Sequence, residues 1–313
     1  MQWTDRIGRR LKPRDLHVFL AVAEHGNMAK AAEWLAISRP VVSKTIADLE
    51  HVLGVRLLDR TSQGVEPTLY GRTLLKRALA VFDELKQSVQ EIDYLSDPTA
   101  GEVRIGCTEV MSAGLVSVAV DRLLDRHPKW VFRLQLANAP AHLELLRSRA
   151  CEVVVGRPEL PQSPPDVETE RLFFEKLLVV AGPQSKWSSR RKVTLAELVD
   201  EPWIQARLEV EPGGPSFEAF KAAGLGPPRV TIFSESLNLR YSLLETGRYI
   251  TMIPQSALRL GPRRALLKVL PIDIPRWRQA TVVSVLKGRT LGPIAQAFID
   301  GVREAAKALE AGR

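Results

Sequence analysis

The sequence predicts a multidomain α/β protein in which a winged helix-turn-helix is followed by a long helix and then by a two-part α/β region. Three observations predict this fold class. Two short helices joined by a tight turn lie near the N-terminus, apolar residues spaced alternately by four and three follow, and strand-like runs then alternate with helical stretches. The 313 residues suffice for two or three domains, each with its own core.

The N-terminal pattern is that of three helices and a wing. The apolar spacing in "DLHVFLAVAEH" predicts a first helix that ends at Gly26, and "MAKAAEWL" predicts a second whose small residues let a neighbour approach. After the turn "AIS", Ser38 and Pro40 suit the first turn of a third helix, which Gly54 ends. "VRLLDRTSQGVEPT" then predicts two short strands around a turn at Gly64.

One long helix is predicted from Thr68 to about Leu95, with the apolar spacing of a coiled-coil seam. The seam comprises Gly71, Leu75, Ala78, Phe82, Leu85, Val89 and Ile92. The helix could instead lie on its own domain. Acidic flanks and few apolar residues off the seam favour pairing with another chain, so we expect a homodimer or homotetramer. "SDPTAG", at residues 96–101, predicts a linker.

Beyond the linker, strands and helices alternate as in parallel α/β folds. "EVRIGC", "VFRLQL" and "CEVVVG" predict parallel strands, and "RLFFEKLLVVAGP" predicts two strands that lead into a second unit. The chain returns through "ATVVSVLK" to a final helix. The expected domains are residues 1–69, residues 70–98 and residues 99–313. Within the last domain, subdomain I comprises about 99–158 and 275–313, and subdomain II comprises about 159–274.

The charge distribution predicts an anionic partner for the N-terminal region. The net charge is +8, and residues 1–80 hold 13 Lys and Arg against 8 Asp and Glu. The remaining basic excess is spread over loops, which is typical of a solvated surface. The chain has no signal-like segment and no run near the ~20 apolar residues that span a bilayer. We therefore expect a cytoplasmic protein with no membrane partner.

Residues 12–76 resemble the DNA-binding region of LysR-type transcriptional regulators, through the pattern "LHVFLAVAEHGNMAKAAEWLAISRPVVSKTIADLEHVLGVRLLDRTSQGVEPTLYG". The remainder resembles the family's effector-binding domain through its layout, "RIGC", "EPW" and "GRYITMIP". "GVEPTLYGR" and "DPTAGEVRIGC" are similar to the galactose-binding-protein-regulator subgroup. The resemblance implies a periplasmic-binding-protein-like effector domain of two subdomains in a sequence-specific regulator. The implied partners are double-stranded DNA, a small-molecule effector, a second copy of the chain and RNA polymerase, with no cofactor and no metal.

The resemblance places the DNA contacts at the start of the third helix and in the wing. The expected DNA-binding residues are Ser38, Arg39, Pro40, Ser43, Lys44 and Arg60. The family usually has Gln in place of Arg39 and Arg in place of Lys44. Because Arg suits guanine and Gln suits adenine, the preferred base is expected to shift. Taken singly, each charge could be merely solvated and Ser38 merely a cap, but the group converges on a structure suited to the major groove.

The expected effector site lies beyond the carboxyl ends of the strands. Its residues are Thr108, Asn138, Arg207, Ser236 and Thr251. Helix capping explains Thr108 and Ser236 equally well. Glu109 would compete with an anionic ligand for helix N–H groups, whereas Arg207 would attract one. A carboxylate beside an amide and a guanidinium suits a hydroxyl-rich ligand such as a sugar or a sugar acid.

An enzyme, a redox sensor and a solute-binding protein are the rival functions. The sequence has no GxSxG, no P-loop, no GxGxxG after the first strand and no HExxH, so catalysis is not expected. Cys107 and Cys151 are predicted at opposite ends of two strands, well over the ~7 Å limit for a disulfide, as buried small hydrophobes. A solute-binding protein would carry a secretion signal and no winged helix.

Overall fold

The structure of the protein, a computed structural model, describes residues 10–61, 64–158, 163–261, 267–272, 274 and 279–311. The chain divides into two compact units. One comprises the chain up to Ile92 together with Arg147–Arg149, and the other comprises Asp93–Leu146 together with Ala150–Arg313. Within the described ranges, no helix combines the length and the apolar character needed to cross a membrane.

The N-terminal unit contains the three helices and the wing that the sequence predicts. They are α1 (Pro13–His25), α2 (Met28–Trp34), α3 (Arg39–Leu53), β1 (Leu58–Thr61) and β2 (Gly64–Pro67). Gly26 and Gly54 end α1 and α3 in the left-handed conformation, with φ of 60° and 72°. The side chain of Asn27 caps α2 by accepting hydrogen bonds from the N–H groups of Ala29 and Lys30.

One apolar core, which includes Phe19, Val42 and Leu57, holds these elements together. The long helix α4 (Leu69–Ser96) follows the wing, and its first turn approaches the chain just before β1. A Cβ atom at Gly71 would stand 2.0 Å from the carbonyl oxygen of Leu57, so only glycine fits there. Packing within the chain therefore explains the first residue of the predicted seam.

The predicted seam on α4 has two parts with different surroundings. Gly71 and Ala78 are buried within the single chain, Leu75 packs against the N-terminal core, and Phe82 is half-buried. The other seam residues are exposed, by 51% at Leu85, 57% at Val89 and 62% at Ile92. The expectation that all seven residues face another chain is corrected for the first part, because the chain itself covers those positions.

The second unit begins with a mixed sheet of five strands among the described residues. These strands are β3 (Ala100–Cys107), β4 (Lys129–Leu136), β5 (Val153–Gly156), β6 (Val167–Glu175) and β12 (Gln279–Leu286). Their order is β4-β3-β5-β12-β6, with β3 parallel to β4 and β5, as predicted, and β12 antiparallel to β5 and β6. The accompanying helices are α5 (Glu109–Met111), a π-helical segment (Ser112–Val116), α6 (Ser117–Arg126), α7 (Ala139–Arg147) and α13 (Pro293–Ala311).

A second sheet holds the other described strands of this unit, in the order β11-β7-β10-β8-β9. They are β7 (Leu177–Ala181), β8 (Trp203–Gln205), β9 (Val230–Phe233), β10 (Ile250–Pro254) and β11 (Lys268–Val269). Its helices are α8 (Leu195–Leu198), α9 (Arg207–Val210), α10 (Pro215–Ala222), α11 (Leu237–Glu245) and α12 (Gln255–Leu260). The rings of Trp203 and Phe220 pack edge to face in its core, with centroids 5.5 Å apart.

The chain passes from the first sheet to the second at Lys176, later than the expected boundary near residue 159. β6 pairs with β12 from Val167 to Glu175, so it belongs to the first sheet, and β7 begins the second. The sequence indicated two adjacent strands here but assigned both to the second unit. The assignment was wrong because the partner of β6 comes from the far C-terminal part of the chain, which no local pattern reveals.

Candidate nucleic-acid interface and ligand cleft

The start of α3 is exposed, as the expected DNA contacts require. Ser38, Arg39, Pro40 and Lys44 are exposed, and Ser43 is half-buried. Ser38 occupies the N-cap position, but its side chain makes no capping hydrogen bond, so the expectation that it caps the helix is corrected. The backbone carbonyl of Ser38 accepts the hydrogen bonds of the first turn instead, which leaves the hydroxyl for another partner.

The charges on α3 are sorted by position. Arg39 and Lys44 form no ion pair or hydrogen bond within the part of the chain that the structure describes. Glu50, near the other end, accepts hydrogen bonds at 2.7 and 3.3 Å from the N–H groups of Leu57 and Leu58. The helix therefore presents unneutralised cations at its start, while this acidic side chain anchors β1.

The wing carries the remaining expected DNA contact. The backbone of Arg60 lies in β1 opposite Val65 of β2, but the Arg60 side chain lies outside the described residues.

On the first-sheet side of the cleft, the two expected ligand residues serve as helix caps. The Thr108 hydroxyl accepts a hydrogen bond from the Met111 N–H at 3.3 Å at the start of α5. The exposed Asn138 accepts one from the Ala141 N–H at 3.4 Å before α7. Capping, which the sequence left open for Thr108, is thus the role that both side chains have in this structure.

On the second-sheet side, the three expected residues differ in their surroundings. The Arg207 side chain is 84% exposed and pairs with Glu211 at 3.3 Å, so the expectation that it faces the cleft is corrected. The Ser236 hydroxyl caps α11 by accepting a hydrogen bond from Leu239. Thr251 is fully buried and donates a hydrogen bond to a backbone carbonyl at 2.6 Å. These residues do not form one ligand-binding cluster.

The buried charge of the second sheet belongs to Arg240, which the sequence analysis missed. Arg240 is 3% exposed, and its guanidinium contacts both carboxylate oxygens of Glu209, at 3.1 and 3.0 Å. It also donates to the carbonyl oxygen of Ser234 and to the Thr251 hydroxyl. Glu209 caps α9 by accepting a hydrogen bond from the Ala206 N–H at 2.6 Å.

Two further charged groups extend this cluster toward the first sheet, where Arg157 follows β5 and Glu175 ends β6 at the same sheet edge. Burial lowers the pKa of Arg157, while the charges of Glu209 and Glu175 act against that shift. Burial raises the pKa of Glu175, whose carboxylate accepts hydrogen bonds from the backbone and hydroxyl of Ser256. The position of both groups directly after an apolar strand was the signal that could have identified them.

Glu109 joins the two halves of the unit. Its carboxylate accepts a hydrogen bond from the Leu237 N–H, at the first position of α11, at 2.9 Å. The sequence predicted that this carboxylate would compete with a ligand for N–H groups at the start of its own helix. It competes at the start of α11 instead, so the chain's own anion occupies that helix end.

The cysteines give no support to a redox role. Both thiols are buried, and burial raises the pKa of Cys107 to about 12 and that of Cys151 to about 11. Because the thiolate is the reactive form, both groups stay protonated and inert near neutral pH. Within the described ranges, no cluster of three or more His, Cys, Asp or Glu side chains could hold a metal ion.

Comparisons with known proteins match both halves of the chain. The family described as "Bacterial regulatory helix-turn-helix protein, lysR family" matches residues 13–72, and "LysR substrate binding domain" matches residues 96–307. The transcriptional regulator GbpR of Azospirillum brasilense is 27% identical over 303 residues, which cover 95% of this chain and 87% of GbpR. PcaQ of Agrobacterium fabrum is 28% identical over 270 residues, covering 85% and 86%.

Solved structures show the same fold over nearly the whole length. CbnR in complex with its target DNA is similar with a TM-score of 0.64 and 23% identity, covering 94% of this chain and all of that chain. ArgP from Mycobacterium tuberculosis is similar with a TM-score of 0.71 and 20% identity, covering 95% and 97%.

Proposed function

The chain belongs to the LysR family of DNA-binding transcriptional regulators with an effector-binding domain, and from that premise we propose how it reads DNA and what controls it. The start of α3 enters the major groove of the operator with Arg39 and Lys44 at base edges, and the wing contacts the neighbouring backbone. A small polar effector bound between the two sheets sets the output, and RNA polymerase is the downstream partner. The protein acts in the cytoplasm.

The observation that carries the DNA contacts is the pair of exposed, unneutralised cations at the start of α3. Phosphates attract such cations without sequence preference, whereas bidentate Arg contacts with guanine add discrimination. The hydroxyl of Ser38 and the first N–H groups of α3 suit a phosphate oxygen. Ser43, one turn further along, completes the reading surface.

The exposed part of the α4 seam supports self-association. Leu85, Val89 and Ile92 form an apolar stripe that the described chain leaves uncovered, and Val81 and Leu95 widen it. A second copy of α4 would bury this stripe, because the same apolar face is present on both partners. Two reading heads related by two-fold symmetry would then face a palindromic site, in a homodimer or a homotetramer.

The chemistry of the cleft supports a hydroxyl-rich acid, such as a sugar acid, as the effector. The hydroxyls of Thr108 and Ser236 each accept one helix N–H and keep their own O–H to donate. Arg157 supplies positive charge beside them at the carboxyl edge of the first sheet. An uncharged sugar would use only the hydroxyl contacts, so the two ligand classes differ in their dependence on Arg157.

Salt dependence tests the electrostatic part of the proposed function. We expect the affinity of the full chain for random-sequence duplex DNA to fall with salt, with a log–log slope of about −0.9 per phosphate neutralised. Lys44→Gln should make the slope shallower by about one phosphate equivalent. Arg207→Gln, an equal loss of charge at an exposed site in the other unit, should leave it unchanged. Salt-independent binding, or equal slopes for wild type and Lys44→Gln, would contradict the proposed interface.

A further inference from the structure

A cavity of about 190 Å³ lies where the chain crosses between the two sheets. One wall comes from the end of β6 and from Leu309 near the end of α13, and the other comes from the start of α12. Of the cleft cluster, only Glu175 also lines this cavity. We call it the crossing cavity.

The size and the apolar wall of the crossing cavity suit a ring. An engineered cavity of roughly 150 Å³ lined by apolar side chains holds benzene. The crossing cavity is somewhat larger, and Phe173, Phe174 and Leu309 provide its apolar surface. Phe173 is 5% exposed, so its position is set by the protein core and is not free to collapse into the space.

The polar wall of the crossing cavity carries more positive than negative charge. Lys176 is exposed and has no ion pair within the described residues. Arg259 is a second cation, and its guanidinium donates to the backbone carbonyl of Leu309 at 3.1 Å. The one acidic group, Glu175, already accepts two hydrogen bonds from Ser256. The wall therefore has a net charge of one positive unit when all three groups are ionised.

We propose that the crossing cavity binds a small ring-bearing monocarboxylate, with its ring against Phe173 and Leu309 and its carboxylate toward Lys176 and Arg259. The apolar wall recognises the ring, and the net charge recognises the anion. This site is separate from the proposed effector cleft and does not depend on the identity of the effector.

Binding in this cavity would affect how the two sheets are held together. α12 caps onto Glu175 through Ser256, and the backbone of Ser256 also lies against the π-helical segment at Gly114. A ligand between β6 and α12 would stabilise this arrangement. The crossing cavity thus offers a second small-molecule input to the same domain, beside the proposed cleft.

Benzoate is the probe that tests the proposal with the full-length chain. We expect benzoate to raise the thermal unfolding temperature in a saturable way, since a ligand that binds only the folded state stabilises it. Acetate supplies the charge without the ring, and benzyl alcohol supplies the ring without the charge. Each should bind at least about tenfold more weakly, because one lost contact worth 1.4 kcal/mol is a factor of ten. Equal effects of all three compounds, or no saturable effect of benzoate, would overturn the proposal.

Two variants locate the bound probe by calorimetric titration. Lys176→Gln should weaken benzoate binding about two- to fivefold, the range for a partly exposed ion pair. Leu309→Phe should reduce it further by filling the cavity. Arg207→Gln, which removes an exposed cation elsewhere in the unit, and Thr108→Val, which alters the cleft, should both leave the affinity unchanged. Loss of benzoate binding in Thr108→Val alone would place the probe in the cleft and overturn this site while leaving the proposed function standing.

Discussion

Replacing Arg240 by methionine is expected to lower the free energy of unfolding of the α/β domain by about 3 to 5 kcal/mol, the cost of breaking a buried ion pair on one side. Methionine keeps much of the volume but leaves the Glu209 carboxylate and the Ser234 carbonyl oxygen without the donor that now contacts both. Denaturant unfolding followed by the fluorescence of Trp203, which is fully buried in this domain, measures the change.

Arg207→Met is the matched control, because it makes the same chemical change 33 positions earlier, on a side chain that is 84% exposed. Its ion pair with Glu211 is a surface pair, so no resolvable change in stability is expected. Adding Glu209→Gln to Arg240→Met should recover part of the loss, since an unpaired amide is less costly to bury than an unpaired carboxylate. A loss of less than 1 kcal/mol in Arg240→Met would mean that the buried pair does not organise the cleft.

Leu85→Asp is expected to abolish self-association through α4. The side chain is 51% exposed in the single chain, so the substitution should leave the fold of each chain intact. In the paired state it would bury a carboxylate from each copy, and desolvating an unpaired ion costs several kcal/mol. Sedimentation at low protein concentration should show a smaller species than the wild type.

Lys86→Gln is the control for Leu85→Asp, because it changes the net charge by the same single unit at an exposed position off the stripe. It should sediment as the wild type does. If Leu85→Asp also keeps the wild-type oligomer at low concentration, the exposed stripe is not the interface between copies.

The sequence predicts the N-terminal unit closely because its signals are local. Gly26 and Gly54 end their helices one residue beyond the last apolar position, and the turn before Ser38 is short enough to leave no alternative arrangement. The two faces of α4 were harder to predict. The spacing that marks Leu85 and Val89 as a seam is continuous with Gly71 and Ala78, and only the folded chain shows which part it covers.

The cleft could not be predicted from local pattern. Arg207 and Arg240 both follow apolar strands with a polar start to the next helix, yet only Arg240 points inward. Its partner is Glu209, at a sequence separation of 31 residues, and the carboxylate of Glu109 reaches Leu237 at a separation of 128 residues. Such contacts depend on how the two sheets are arranged, which the order of strands along the chain does not specify.

The glutamate at the helix start also bears on the ligand. Because Glu109 already occupies the first N–H of α11, an effector acid would meet a carboxylate there and would have to use the cations of the buried cluster instead. This arrangement favours ligands with both a carboxylate and several hydroxyls over simple inorganic anions.

Selection of binding sites from a random DNA pool, with wild type, Arg39→Ala and Arg39→Gln side by side, is the most direct test of the central claim that the start of α3 reads the operator. Arg39 is exposed and unpaired in the described chain, so both substitutions should leave the fold unchanged. The wild type should select a palindromic site with guanine at one position in each half. Arg39→Ala should cost about 1 to 3 kcal/mol on that site and relax the preference at those two positions.

Arg39→Gln restores the residue usual in the family and should shift the preference at the same two positions from guanine toward adenine. A shift confined to one base pair in each half-site is the result that this account predicts. Identical site preferences for all three proteins, with only a uniform drop in affinity, would contradict it, because Arg39 would then touch the DNA backbone alone.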